Sequence, residues 1–130
     1  MIEILKLRRR ILLVDQDLDL RVGLGLMLKS AGFEVQQASD GMEAIAMHRR
    51  QAFDLIVTEI QMPGTDGLDI LCTLSSQLAA PKFVFLSRQS RVPAEAFLRI
   101  TRHLGTQHVL CKPFSPEHLL ATVREVLGEE

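Results

Sequence analysis

Residues Leu55 to Gly67 read "LIVTEIQMPGTDG". The opening Leu-Ile-Val-Thr run is apolar or β-branched without alternation, the composition of a strand covered on both faces. Glu59 then ends it on a carboxylate, and Pro63, Gly64 and Gly67 break the chain into a loop. A buried strand that stops on an acid and turns at once sets that acid on the carboxyl edge of a sheet, where open α/β sheets bind their ligands.

The neighbouring segments repeat this rhythm. Strands are expected at Ile11 to Asp15, Phe33 to Ala38, Leu55 to Glu59, Lys82 to Leu86 and His108 to Cys111. Amphipathic stretches between them predict helices at Leu18 to Ala31, Met42 to Arg50, Leu68 to Gln77 and Ala94 to Leu104, with a last one from Pro116 to Leu127. Asp17 and Ser115 stand as caps, Pro116 opens the last helix, Gly32 follows the first and Gly41 precedes the second. Strict β/α alternation with apolar strands gives an α/β doubly wound parallel sheet in three layers, with right-handed crossovers.

Bulk composition narrows the options. A chain of 130 residues has the length of one domain, and 47% hydrophobic against 24% charged residues is a globular balance. The expectation is a single domain over 1–130, with 1–9 a basic lead-in. A net charge of -1 gives no general attraction to nucleic acid or to an anionic membrane. The local exception, "KLRRR" at Lys6 to Arg10, lacks interleaved aromatics and reads as a solvated approach to the first strand. No apolar run is long enough for a bilayer span, and no signal peptide opens the sequence. Cys72 and Cys111 are far apart with no paired spacing. Together these point to the cytoplasm.

Four strands give way to polar residues: "ILLV" to Asp15, "LIVT" to Glu59, "KFVFL" to Ser87 and "HVLC" to Lys112. Parallel strands bring these ends to one rim. Carboxylates crowded within a few Å repel by about 3 kcal/mol per pair at an effective dielectric near 20, so they need a cation or a Lys, and Lys112 is at hand. Mg²⁺ pairs such carboxylates with phosphate oxygens, which makes phosphoryl transfer the implied reaction class.

"ILLVDQD", "SDGMEAI", "LIVTEIQMPGTDG", "FLS" and "CKPF", in this order over essentially the whole chain, resemble the receiver domain of bacterial two-component response regulators, the CheY-like fold. The resemblance implies a flavodoxin-like five-stranded sheet of order 2-1-3-4-5. It also implies two adjacent acids binding Mg²⁺ after the first strand, an Asp ending the third strand that takes a phosphoryl group from a histidine kinase, and a Ser or Thr and a Lys on the phosphoryl oxygens. Asp15 matches the first acid, and Gln16 stands where the second is expected. Glu59 occupies the phospho-acceptor position. Gln61 lies where a backbone carbonyl completes the metal shell. Ser87 and Lys112 match the hydroxyl and the Lys, with Lys112 to Pro113 the peptide expected to be cis. Arg88 replaces a small residue, and Val109 stands at the position often held by a switch aromatic.

These departures have physical consequences. From the same backbone position, the Glu59 carboxylate reaches about 1 to 1.5 Å farther than that of Asp, into the phosphoryl space. Misplacing a reacting atom by about 1 Å costs on the order of a hundredfold. Gln16 removes a negative charge and with it much of the demand for Mg²⁺, leaving Asp15, Gln16, Glu59 and Gln61 a weakened metal site. Arg88 can pair with Glu59 or cover the rim. Glu59 accepting from Lys112 and Ser87 imitates the phosphorylated state. The expectation is therefore an atypical pseudo-receiver, not an enzyme, that meets a histidine kinase or a downstream effector as a protein partner. The alternative is a working receiver accepting phosphate with Mg²⁺ at Glu59 or Asp15.

A flavodoxin-like cofactor binder would need a phosphate loop after the first strand, where "DQDLDL" sets carboxylates instead. "GLG" at Gly23 to Gly25 lies inside a helix and is no dinucleotide fingerprint. His48, His103, His108 and His118 lack ligand spacing and read as surface or helix-end residues. Cys111 reads as a small strand residue and Cys72 as helix core. Arg91, Arg99, Arg102 and His103 make the fourth helix basic and read first as a solvated face, near the helix 4, strand 5 and helix 5 face through which the resemblance implies a possible homodimer. Only "GEE" follows the last helix, so no effector domain is expected in this sequence.

Overall fold

The computed structural model describes residues 8–87, 94–104, 108–111 and 113–129, without the side chains of 94, 101 and 103. Lys112, its peptide to Pro113, Arg88, Arg91, Gln107 and the start of the basic lead-in fall outside them.

Five strands, β1 (Arg10–Val14), β2 (Glu34–Ala38), β3 (Leu55–Glu59), β4 (Lys82–Ser87) and β5 (Val109–Cys111), form one parallel sheet of order β2-β1-β3-β4-β5. Between and after them run α1 (Leu18–Ser30), α2 (Gly41–Arg50), α3 (Gly67–Leu74), α4 (Ala94–Leu104) and α5 (Pro116–Leu127). The expected order and alternation hold.

Alternation along each strand sorts the core into two layers. Ile11, Leu13, Leu55, Val57, Val84 and Leu86 face Leu24 and Leu28 of α1 and Leu119, Val123 and Val126 of α5. Leu12, Val14, Ile56, Phe83 and Phe85 face Ala44 of α2, Ile70 and Leu74 of α3, and Ala96 and Ile100 of α4. Every residue of β3 is buried, as its unbroken apolar run requires, whereas edge strand β2 alternates. Among the described residues no helix is long and apolar enough to cross a membrane.

Helix ends follow their caps. Asp17 accepts from the Leu20 N–H at 3.2 Å, Asp40 from Glu43 at 2.8 Å and Ser115 from His118 at 3.0 Å. Asp66 and Asp69 cap α3 reciprocally at 2.9 and 3.0 Å. Gly41 is the first residue of α2 instead of its predecessor. A Cβ there would run into the Thr65 carbonyl, so only glycine lets the β3–α3 loop pass. Helix α3 ends at Leu74, a turn earlier than Gln77, with Ser75 as its cap and a Gln77 N–H turn onto the Leu74 carbonyl at 3.1 Å. The Ser75-Ser76 pair offers hydroxyls that compete with helical hydrogen bonds, which favours the early stop.

The basic lead-in is not simply solvated. Arg9 donates to the Leu127 carbonyl at 3.4 Å and pairs with Glu129 at 3.3 Å. Arg10 opens β1, bonds Glu34 at 2.8 Å and the carbonyls of Gln51 and Ala52, and lies 4.3 Å over the Phe53 ring. It thereby satisfies carbonyls that the end of α2 leaves open. Buried His48 likewise has both ring nitrogens engaged: Nδ1 accepts the Phe53 N–H at 3.0 Å, so Nε2 donates to the Ala79 carbonyl at 2.7 Å. His108 bonds the Phe83 carbonyl at 2.6 Å. His48 is thus a helix-end residue, in the last turn of α2, but a buried one, and for both histidines a surface role is corrected to a structural one. Cys72, expected in the helix core, is exposed beside the Arg99 guanidinium, with Arg99 Nη2 to its Sγ at 3.4 Å.

Candidate functional site at the carboxyl edge of the sheet

Three strands deliver their polar ends to one place. β1 pairs with β3 up to Val14 opposite Thr58, β3 pairs with β4 up to Glu59 opposite Leu86, and Ser87 follows. Asp15, one residue beyond β1, therefore comes beside Glu59, with Ser87 on the far side. All three are buried, at 3%, 1% and 5% exposure.

The first loop closes onto Glu59. Its Oε1 accepts the Gln16 backbone N–H at 3.2 Å and lies 3.4 Å from the Gln16 side-chain amide nitrogen. Asp15 Oδ1 accepts the Asp17 N–H at 2.8 Å, which turns the chain toward α1. Behind Glu59 the backbone is fixed. Thr58 Oγ1 donates to the Glu59 carbonyl at 3.0 Å, the Ile60 N–H reaches the Leu86 carbonyl at 3.0 Å, and the Gly67 N–H returns to the Ile60 carbonyl at 3.1 Å. A Cβ on Gly67 would overlap the Glu59 carbonyl, so glycine allows this return.

Asp15, Gln16, Glu59 and Ser87 are thus brought together as the sequence suggested, and Gln61 stands exposed in the following loop. Val109 lies half-buried in β5, paired with Phe85. One contributor was not foreseen. Arg21, one turn into α1, donates through its guanidinium to the Asp15 carbonyl and through Nε to Gln37 Oε1 at 3.3 Å. Its position one turn inside an amphipathic helix carries no signal that the side chain reaches back over the helix start.

Chemically, the site offers two carboxylates, an amide and a hydroxyl, with guanidinium charge against the backbone of Asp15. Among the described residues no group of three or more His, Cys, Asp or Glu side chains is placed to hold a metal ion.

Similarity to known proteins agrees with this arrangement. The family described as the response regulator receiver domain matches residues 11–124. The DNA-binding response regulator MtrA of Mycolicibacterium paratuberculosis is 30% identical over 118 residues, 91% of this chain and 51% of that protein. Its counterpart from Mycobacterium tuberculosis strain H37Rv is also 30% identical over 118 residues, covering 91% and 50%. The chain spans about half the length of the curated relatives it matches. Among solved structures, the chemotaxis response regulator CheY4 of Vibrio cholerae superposes with a TM-score of 0.74 at 28% identity, over 92% of this chain and 99% of that one. A CheY-like receiver domain protein from Methanospirillum hungatei shares the fold, with a TM-score of 0.82 at 24% identity over 94% and 95%. With a family match across residues 11–124, a sheet of order β2-β1-β3-β4-β5 and polar side chains gathered at its carboxyl edge, this chain belongs to the receiver domains of two-component response regulators.

Proposed function

We propose that this receiver works as an atypical, cytoplasmic interaction module whose acceptor position is filled by a carboxylate that does not turn over. The observation that carries the reading is the state of Glu59: 1% exposed, with Oε1 held by the Gln16 N–H. An in-line acceptor must present an oxygen to the incoming phosphorus, and a carboxylate one methylene longer that is folded under the first loop starts from the wrong place. A displacement of about 1 Å costs on the order of a hundredfold. On this reading Ser87, buried at the same rim, and Lys112, which lies outside the described residues, are the groups that would donate to Glu59 in place of a phosphoryl group.

The residues fit Mg²⁺ poorly. Asp15 and Glu59 offer oxygens, but the position that would supply another carboxylate is Gln16, whose amide nitrogen is directed to the same Glu59 oxygen a metal would need. Bound Mg²⁺ would supply charge neutralisation for transferred phosphate, and this donor set asks little of it. Partners on this reading are signalling proteins, either a histidine kinase or a downstream effector. The DNA binding in MtrA's name belongs to MtrA, and a net charge of -1 gives this chain no general reason to share it.

The test is intact-protein mass after incubation with Mg²⁺ and acetyl phosphate. No mass gain is expected. Stoichiometric addition mapped to Glu59 or Asp15 establishes the working-receiver alternative instead.

A further inference from the structure

Helix α1 carries a glycine that no contact among the described residues explains. Gly23 is exposed, its backbone is not among the positive-φ glycines, and a Cβ added there meets nothing within 4 Å. Gly25, by contrast, faces the sheet with Gln37 Nε2 and Leu13 Cδ1 at 3.4 and 3.6 Å from such a Cβ. An exposed helical glycine with no internal contact costs stability and provides a place for something outside to approach.

Beside it runs an apolar ridge. Leu18, Val22 and Leu26 are 59%, 43% and 62% exposed, spaced four apart. The next row, Asp19, Gly23 and Met27, is notched at its centre by the glycine. Packing one i±4 ridge into the groove between two others is the commonest helix–helix arrangement, at a crossing near 50°. The same helix supplies both ridge and notch, so the surface complements itself. Charge favours an antiparallel pairing: the exposed acids Asp17 and Asp19 lie at the first turn and exposed Lys29 at the last. A two-fold axis brings unlike ends together.

We propose that α1 is the contact surface of a homodimer, two copies crossing antiparallel with Val22 of each seated over Gly23 of the other. This face lies across the sheet from α4, so it differs from a helix 4, strand 5 and helix 5 dimer. It is independent of the chemistry at Glu59.

Sedimentation equilibrium across the micromolar to sub-millimolar range tests the proposal. The unaltered chain is expected to dimerise. Gly23→Lys, which has room in the monomer, should weaken the dimer by about tenfold or more with its circular dichroism unchanged. Lys29→Glu should weaken it several-fold. Val22→Cys should give a crosslink mapped to 22 on both copies, whereas Met42→Cys, 73% exposed on the other side of the sheet, should not. A chain that stays monomeric throughout overturns the proposal. So does a dimer that Gly23→Lys leaves unchanged, which points to another face, and so does α1 engaging only a helix from a different protein.

Discussion

Glu59 shows how one methylene can redirect a pocket. The strand holds its backbone on both sides, through Thr58 Oγ1 and through the Ile60 N–H, so the extra length cannot be absorbed by a backbone shift and must be taken up by the side chain. If length is the obstacle, shortening it should remove it. Glu59→Asp combined with Gln16→Asp is expected to gain Mg²⁺-dependent labelling by acetyl phosphate at a rate on the order of a hundredfold above the parent, read by intact mass. Glu59→Asp alone should recover less, because Gln16 still withholds a metal ligand. Two glycines make a second test at this scale. Gly67→Ala forces a Cβ against the Glu59 carbonyl and should lower stability by about 1–3 kcal/mol, measured from urea midpoints. Gly23→Ala meets nothing within the monomer and, measured at concentrations too low for dimerisation, should raise it by about 1 kcal/mol.

At the level of elements, the end of α2 is secured by side chains from distant parts of the chain. Arg10 takes the carbonyls of Gln51 and Ala52, and His48 joins Phe53 to Ala79 across the α3–β4 turn. His48→Phe keeps a ring of similar shape but leaves the Phe53 N–H and Ala79 carbonyl without their partner. The expected cost is about 1–3 kcal/mol, with faster hydrogen exchange at the Phe53 amide. Arg10→Met removes the guanidinium bonds and its stacking over Phe53, and should cost about 1–3 kcal/mol by the same measurement. None of this was readable in advance. His48 and Ala79 are 31 residues apart and Arg10 and Gln51 41 apart, and local periodicity records no pairing over such spans. Strands and caps were readable because their determinants are local: an unbroken apolar run for β3, an Asp or Ser placed before a helical repeat for α1 and α5. The end of α3 at Leu74 instead of Gln77 turns on Ser75 and Ser76 competing with helical hydrogen bonds, which hydrophobic periodicity does not record.

For the whole molecule, one sheet divides two apolar layers that share its strands, so neither can come apart without exposing the other's support. Urea unfolding followed by circular dichroism and by amide exchange in β1 and β3 is expected to give one coincident transition. Separate transitions for the α1/α5 layer and the α2/α3/α4 layer would contradict a shared core. The rim was legible at this scale because parallel topology alone gathers strand ends, so Asp15, Glu59 and Ser87 could be grouped without knowing any distance. Arg21's part in it was not, since it depends on where α1 leans over Asp15. The bridge from Arg9 to Leu127 and Glu129 has its own consequence. Because those two segments abut, a short linker could join them and the chain be reopened at Leu78, giving a circular permutant that begins with β4 and finishes with α3 while its sheet keeps the same neighbours.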